Sequence, residues 1–273
     1  MSFFSITRKG IGIPALATLF ASAPFLTVHA SPSTDEVIAQ ARDYLGGDEV
    51  LDGVRSIYYS GVFETREGAR GEVEIVFQKP LFQRVTTVRD DLKEVTGLSH
   101  YDGWRKLTER EDDSNWTIVF LEPDQIRELQ ANTWENLNFF KGIERRRGSV
   151  ENHGLVDLDG ESCVKLTFRH PGGVYFDRYF DAETGRLILT EASSGGQIRE
   201  EGDQVVDGIR FPEAIVMYEN GEQTNRIQFE EITVNREFDE EMFEVPSMAP
   251  ARPGEAPIQM EDELLDIPSP VEP

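Results

Sequence analysis

The sequence predicts a mainly β (α+β) domain in which an antiparallel sheet carries a helical insertion. Apolar and polar residues alternate in many short segments, such as residues 163–169, and this pattern gives a strand one apolar face and one solvent-exposed face. Residues 123–141 break this period of two with helical spacing instead. Glycine turn signals recur through the second half, at Gly172, Gly185, Gly195, Gly208 and Gly221.

The first half begins with a helix and continues as strands. Ser33 and Glu36 form a capping-box pattern, and two glycines at 46–47 end the helix that follows. A shorter helical turn is predicted over residues 49–54. The period then changes to two, and residues 57–63 and 72–77 flank a Gly-containing loop, which predicts a hairpin.

The second half is a helical insertion followed by a meander. Pro123 stands near a predicted helix start, and residues 133–141 place apolar side chains on neighbouring helical positions. In the last strand the apolar residues change parity, which predicts a bulge near Glu230 and Glu231. The strands of the meander are predicted over residues 163–169, 174–180, 187–191, 211–218 and 226–234.

Residues 1–30 are predicted to be a secretory signal peptide. Arg8 and Lys9 form a positive amino-terminal region, residues 11–28 carry no charge, and small residues precede a cleavage point after Ala30. A membrane anchor is the alternative, but two prolines interrupt the uncharged run and no basic cluster follows it. We therefore expect cleavage after Ala30 and a soluble mature protein in the periplasm.

Residues 247–273 are predicted to be a disordered, acidic, Pro-rich tail, which leaves residues 31–246 as one folded domain. Seven of the 14 prolines lie from Pro246 onward. A segment of this composition buries too little apolar surface to offset its ordering entropy. A short amphipathic turn over residues 260–267 that docks on a partner is the alternative. The acidic residues of the tail are Glu255, Glu261, Asp262, Glu263, Asp266 and Glu272.

Deleting residues 247–273 should leave the domain folded, because the tail offers no side chains to the core. We expect the thermal midpoint, followed by circular dichroism, to match that of the full chain. A midpoint lowered by more than a few degrees would show that the tail packs on the domain.

Charge and motif content exclude several function classes. With 51 acidic and 27 basic residues the net charge is −24, which opposes binding to nucleic acid and favours a basic protein partner. The single cysteine, Cys163, excludes an internal disulfide and is interpreted as a packed strand residue. Residues 157–161 resemble the opening of a calcium loop but lack its later ligands, so a β-turn is preferred. No metalloprotease, nucleophile-elbow or phosphate-loop motif is present, and we expect no catalytic residue, metal or cofactor.

Aromatic residues are frequent on both the first strands and the helical insertion. One interpretation is an ordinary core; the other is an apolar ligand cavity between a concave sheet and a loosely packed helical cover. Alternate residues of strand 72–77 are expected to face that cover, although Val76 breaks the alternation. The candidate lipid-binding residues are Val73, Ile75, Phe77, Phe82, Trp104, Trp116, Trp134, Leu137 and Phe140.

Several short motifs resemble the LolA-like superfamily of lipoprotein-localisation carriers, and together they cover the mature domain. They are the strand at 71–77, Lys79-Pro80 followed by Phe82 and Arg84, the turn Asp102-Gly103-Trp104, and residues 179–185, 206–212, 232–235 and 243–246.

The resemblance implies a curved, unclosed antiparallel β-barrel with a helical lid over its apolar concave side. It also implies a non-catalytic carrier for a lipid or the acyl chains of a lipoprotein, and we expect this carrier to be monomeric. In that family an Arg before the motif proline holds the lid; Lys79 stands there in this chain and is the lid-contact candidate, without the planar fork of Arg donors. The alternative function is an envelope regulatory or protein-interaction module on the same scaffold, with a basic envelope protein as its partner.

Overall fold

The computed structural model describes residues 31–111 and 115–246. The predicted signal peptide and acidic tail lie outside the described residues. No helix in the described ranges is both long and apolar enough to cross a membrane. The helices are α1 (Thr34–Leu45), α2 (Asp48–Asp52) and α3 (Pro123–Asn138), with short 3₁₀ turns at Ile143–Arg146, Pro171–Gly173 and Glu240–Phe243.

The start and end of α1 follow the sequence prediction. The Ser33 hydroxyl accepts a hydrogen bond from the Glu36 backbone N–H, and the Glu36 carboxylate accepts one from the Ser33 N–H at 2.8 Å. The helix ends at Gly46, whose φ of 142° is a conformation that other residues rarely adopt. A Cβ at Gly46 would also lie 2.3 Å from the Gly208 carbonyl oxygen, so glycine is required there for two reasons.

The strands build one large antiparallel sheet. The strands are β1 (Ser56–Thr65), β2 (Arg70–Gln78), β3 (Phe82–Arg89), β4 (Leu92–Ser99), β5 (Asp102–Glu109), β6 (Trp116–Phe120), β7 (Ser149–Leu158), β8 (Glu161–Arg169), β9 (Tyr175–Asp181), β10 (Leu187–Ala192), β11 (Gln197–Glu201), β12 (Gln204–Val206), β13 (Ile209–Phe211), β14 (Ala214–Glu219) and β15 (Glu222–Val234). The order of the sheet across the described residues is β6-β5-β4-β3-β2-β1-β15-β14-β11-β10-β9-β8-β7, and β12 pairs with β13 as a separate hairpin.

The sheet is curved but not closed, because its terminal strands β6 and β7 are not paired with each other. Strand β1 joins the two halves by pairing with β15. Ser60 pairs with Glu231 and Gly61 with Phe229, so Glu230 is the extra residue of a bulge. The bulge predicted from the parity change is therefore confirmed, and it increases the local twist of the sheet.

The concave face of the sheet packs against the helices. One apolar cluster joins β1, β2 and β15 to Leu137 and Phe139 at the end of α3. A second joins α1 to β8 and β9 through residues such as Phe140 and Phe168. Most of the apolar core therefore lies between the sheet and its helical cover.

The convex face carries a smaller apolar cluster made by the final described segment, residues 236–246. Phe243 is fully buried there against Tyr58, Val76 and Phe82. This cluster explains why Val76 breaks the alternation of β2: both faces of that strand are covered. Trp104 donates its indole N–H to the Phe243 carbonyl oxygen at 3.0 Å, which fixes the segment to β5.

The lid helix α3 is one continuous helix held to the sheet by buried polar contacts. The Thr133 hydroxyl donates to the Gln83 side chain of β3 at 2.9 Å. The Gln130 side chain donates to the His100 carbonyl oxygen at 2.7 Å. These bonds tie α3 to the β3–β5 half of the sheet along one side.

Candidate functional site

A cavity of about 310 Å³ lies between the concave face of the sheet and α3. Its volume is at the small end of the range for ligand pockets, about 300–1,000 Å³. Its apolar lining comes mainly from the neighbouring strands β2, β1, β15 and β14 and from the end of α3. The apolar residues include Tyr59, Val73, Ile75, Phe77, Val85, Phe139, Phe140, Ile215, Met217, Ile227 and Phe229.

The alternation of side chains along β2 determines which of its residues face the cavity. Val73, Ile75 and Phe77 project from the concave face, where all three line the cavity opposite α3. Glu74, between them, projects to the other face and accepts a hydrogen bond from the Tyr58 hydroxyl at 3.0 Å. Strand β2 therefore has the apolar cavity face that the sequence predicts, while lipid binding by its residues stays a prediction.

Charged groups line the cavity near β9, β11 and α3. Arg178 of β9 lies with Nη2 3.5 Å from Glu135 Oε2 of α3, and Glu135 Oε1 is 2.9 Å from His170 Nε2. The Glu135 and His170 side chains are almost fully buried. Burial lowers the pKa of Arg178, and the negative charges of Glu135 and Glu200 oppose that effect.

Two cavity carboxyl groups are shifted toward their neutral forms. Burial raises the pKa of Glu200 on β11 to about 7, and the charges of Arg178 and Arg186 only partly offset the shift. Burial also raises the pKa of Glu128 on α3, whose carboxylate accepts a hydrogen bond from the Ser194 hydroxyl at 2.9 Å. At Glu200 the cavity therefore carries less negative charge near neutral pH than a glutamate of ordinary pKa would give it.

The carboxyl end of α3 turns two aromatic rings into the domain. Phe139 and Phe140 have φ values of 46° and 70°, a conformation that costs a non-glycine residue about 1–2 kcal/mol. Both rings line the cavity. The buried Arg42 of α1 holds this turn by donating from Nη1 to the carbonyl oxygens of Asn138 at 3.1 Å and Phe139 at 3.0 Å.

The contact that holds the lid comes from Arg42 and not from Lys79. Arg42 is also paired with Asp48 and Asp52 of α2, so its guanidinium joins three helices. The Lys79 side chain has no hydrogen bond or ion pair to α3 among the described residues; burial lowers its pKa, and the charge of Asp52 opposes that shift. Lys79 therefore lies near the cluster that holds the lid without performing the role predicted for it.

Phe82 and Trp104 are not on the cavity side of the sheet. In the strand register Phe82 pairs with Gln78, and Trp104 pairs with Gly97, which puts both rings on the convex face. There Phe82 stacks against Phe243, with ring centroids 5.2 Å apart. The prediction of cavity positions for these two side chains is wrong because residues 236–246 supply the convex face with a core of its own.

Three other candidates also lie outside the cavity lining. Leu137 is fully buried in the cluster that packs α3 on the sheet. Trp134 is covered by Arg146, whose guanidinium lies 5.3 Å from the ring centroid. Trp116 is partly exposed on the terminal strand β6. Phe140, by contrast, lines the cavity with Val73, Ile75 and Phe77 of β2.

No protein-family model and no curated protein matches this chain. A solved LolA superfamily protein from Nitrosomonas europaea matches with a TM-score of 0.50, 11% identity, and coverage of 78% of this chain and 99% of that one. The fold is LolA-like. A lipoprotein-sorting protein domain from Vibrio parahaemolyticus matches with a TM-score of 0.49, 10% identity and coverage of 76% and 94%. A DUF1329 family protein from Desulfovibrio piger matches with a TM-score of 0.47, 12% identity, and coverage of 77% of this chain and 96% of that one.

The LolA-like fold agrees with the sequence resemblance in architecture: a curved, open antiparallel sheet with a helical cover on its concave side. At this level of identity the likeness shows the fold alone. The chemistry of the site therefore rests on the side chains described above. The described residues contain no cluster of three or more His, Cys, Asp or Glu side chains placed to hold a metal ion.

Proposed function

We propose that this protein is a periplasmic, monomeric carrier that binds a lipid or the acyl chains of a lipoprotein without catalysing a reaction. The observation that supports the proposal is the cavity beneath α3, whose lining on β1, β2, β14 and β15 is mainly apolar. Removing an acyl chain from water is favourable by about 0.8 kcal/mol per CH₂ group, so such a cavity binds a chain without a catalytic group. The LolA-like fold supports a carrier by analogy.

The site also has the means to enclose a ligand. Arg42 and the buried bonds of Thr133 and Gln130 hold α3 at its end and along its side. The strained turn at Phe139 and Phe140 places two aromatic rings against the cavity. Strain of this kind persists where surrounding contacts over-determine it, and it is concentrated at ligand sites.

Ile75→Glu should weaken binding of N-phenyl-naphthylamine, a neutral fluorescent probe, by about tenfold or more. Ile75 is partly buried and lines the cavity, so the substitution places a carboxylate against the apolar site, at a cost of about 1–3 kcal/mol. Fluorescence titration measures the probe affinity, and circular dichroism checks that the variant is folded.

Glu74→Gln is the matched control for Ile75→Glu. Glu74 is the neighbouring residue on β2, but it lies on the convex face, where glutamine still accepts the hydrogen bond from the Tyr58 hydroxyl. Its probe affinity should equal that of the wild type. A folded Ile75→Glu protein with wild-type affinity would contradict the proposed cavity. A wild type inert to the probe and to every acyl compound would favour the alternative, an envelope protein-interaction module.

A further inference from the structure

The cavity has a polar side that an acyl chain alone does not use. In the sheet, β15 and β14 separate the apolar β1 and β2 from β11, β10 and β9. Arg178 and Thr190 project into the cavity from β9 and β10, and Glu200 projects from β11. A ligand that spans this cavity therefore meets mainly hydrocarbon at one end, and at the other it meets these charged and hydrogen-bonding groups among apolar side chains such as Phe176 and Ile198.

Arg178, on the β9–β11 side of the cavity, is a cation with a buried hydrogen-bond donor that has no acceptor in the described part of the chain. Its Nε is buried with no hydrogen-bond partner among the described residues, and Glu135 Oε2 is likewise unpartnered. The 3.5 Å contact between these two residues is an ion pair too long for a good hydrogen bond. Buried donors without acceptors are costly, so a ligand oxygen that accepts from Arg178 would stabilise the site.

The guanidinium of Arg178 is held in place by aromatic rings. It lies 5.0 Å from the ring centroid of Phe140, 5.7 Å from that of Phe168 and 5.8 Å from that of Phe176. Arg210 also lines the cavity, but its Nε donates to the Tyr44 carbonyl oxygen at 3.2 Å. Arg178 is therefore a pre-oriented fork of donors at the polar side of the cavity.

We infer that Arg178 binds the acidic head group of an amphiphile whose hydrocarbon chain lies against β1, β2 and β15. This inference rests on the proposed function, because it assigns the head group of the ligand that the apolar side holds. A carboxylate, sulfonate or phosphate presents two acceptor oxygens to the planar fork, and such charge-assisted bonds are about twice as strong as neutral ones.

The carboxyl group of Glu200 makes this site dependent on pH. Glu200 faces the charges of Arg178, Arg186 and Asp203, and burial raises its pKa to about 7. Below that value Glu200 is neutral and does not repel an anionic head group. Above it the Glu200 carboxylate repels the anion and competes for Arg178.

The test compares decanesulfonate, which is an anion at every pH used, with decanol as competitors of the neutral naphthylamine probe. Wild type should bind the sulfonate at least tenfold more tightly than the alcohol at about pH 6, and this preference should shrink as pH rises to about pH 8. Arg178→Gln should weaken sulfonate binding by about 10- to 100-fold, the effect of removing a charged hydrogen-bond donor. Its decanol affinity should fall by at least tenfold less than its sulfonate affinity does, because a neutral hydroxyl is the weaker acceptor for Arg178.

Glu200→Gln provides a second variant, in which the Arg178 side chain stays in place and only the titrating carboxyl group is removed. It should bind decanesulfonate at about pH 8 as tightly as at about pH 6. Equal wild-type affinities for sulfonate and alcohol, with the probe still bound, would overturn the head-group assignment and leave the carrier function standing. A wild type that binds no probe and neither competitor would overturn both. A folded Arg178→Gln protein with unchanged sulfonate affinity would also reject the assignment.

Discussion

Trp104→Ala should lower the free energy of unfolding by about 3–5 kcal/mol, the range for removing a buried tryptophan. Trp104 is 1% exposed, and its indole N–H bonds the Phe243 carbonyl oxygen, so the substitution opens a cavity and releases residues 236–246. For a domain of this size, each kcal/mol lowers the thermal midpoint by about 2–4 °C. Urea or thermal denaturation followed by circular dichroism measures the loss.

The same variant separates stability from ligand binding. Because Trp104 lies on the convex face, Trp104→Ala should keep wild-type affinity for the naphthylamine probe at a temperature where it is folded. Phe120→Ala is the control, since this phenylalanine is 62% exposed and its loss should change stability by no more than about 0.5 kcal/mol. A weakened probe affinity in folded Trp104→Ala would show that the convex face contributes to the site.

Arg42→Met should destabilise the protein by about 2–4 kcal/mol. The substitution keeps an unbranched stem but removes the charged donors to the Asn138 and Phe139 carbonyl oxygens, and each hydrogen bond to a charged group contributes about 1.5–3 kcal/mol. The strained turn at Phe139 and Phe140 then loses its support. Probe affinity should fall with stability, because both rings line the cavity.

Arg66→Met is the matched control for Arg42→Met. Arg66 also pairs with a carboxylate, that of Glu222, but both side chains are more than half exposed. Exposed ion pairs contribute about 0–1 kcal/mol, so its thermal midpoint should stay within a few degrees of the wild type. Comparable losses in the two variants would mean that Arg42 acts as an ordinary surface charge.

The order of elements follows from the sequence, but the face on which an aromatic residue lies does not. Alternation and glycine turns predict the hairpin of β1 and β2, and parity predicts the bulge at Glu230. Parity only sorts a strand into two faces, and it does not say which face is concave. The cavity positions predicted for Phe82 and Trp104 are wrong for this reason, because the convex face is covered by residues distant in sequence, including Phe243.

The roles of Arg178 and Arg42 at the site are not predicted from the sequence, although each stands at an apolar position of its element. Arg178 shares its parity with Phe176 and Phe180, so a charge stands among apolar residues on one face of β9. Arg42 lies one helical turn from Ile38 and Leu45 on the buried side of α1. A charged residue at an apolar position indicates a buried partner or ligand. The partner's identity depends on tertiary contacts that periodicity does not contain.

The reversal of the chain at the end of α3 has a consequence for how the domain responds to a ligand. Phe139 belongs to the apolar cluster of β1, β2 and β15, and Phe140 belongs to the cluster of α1, β8 and β9. Since consecutive residues anchor the two clusters, one half of the core cannot loosen without pulling on the other. We therefore expect the two halves to unfold as one cooperative unit, in which a ligand bound against β2 would also stabilise the distant β8.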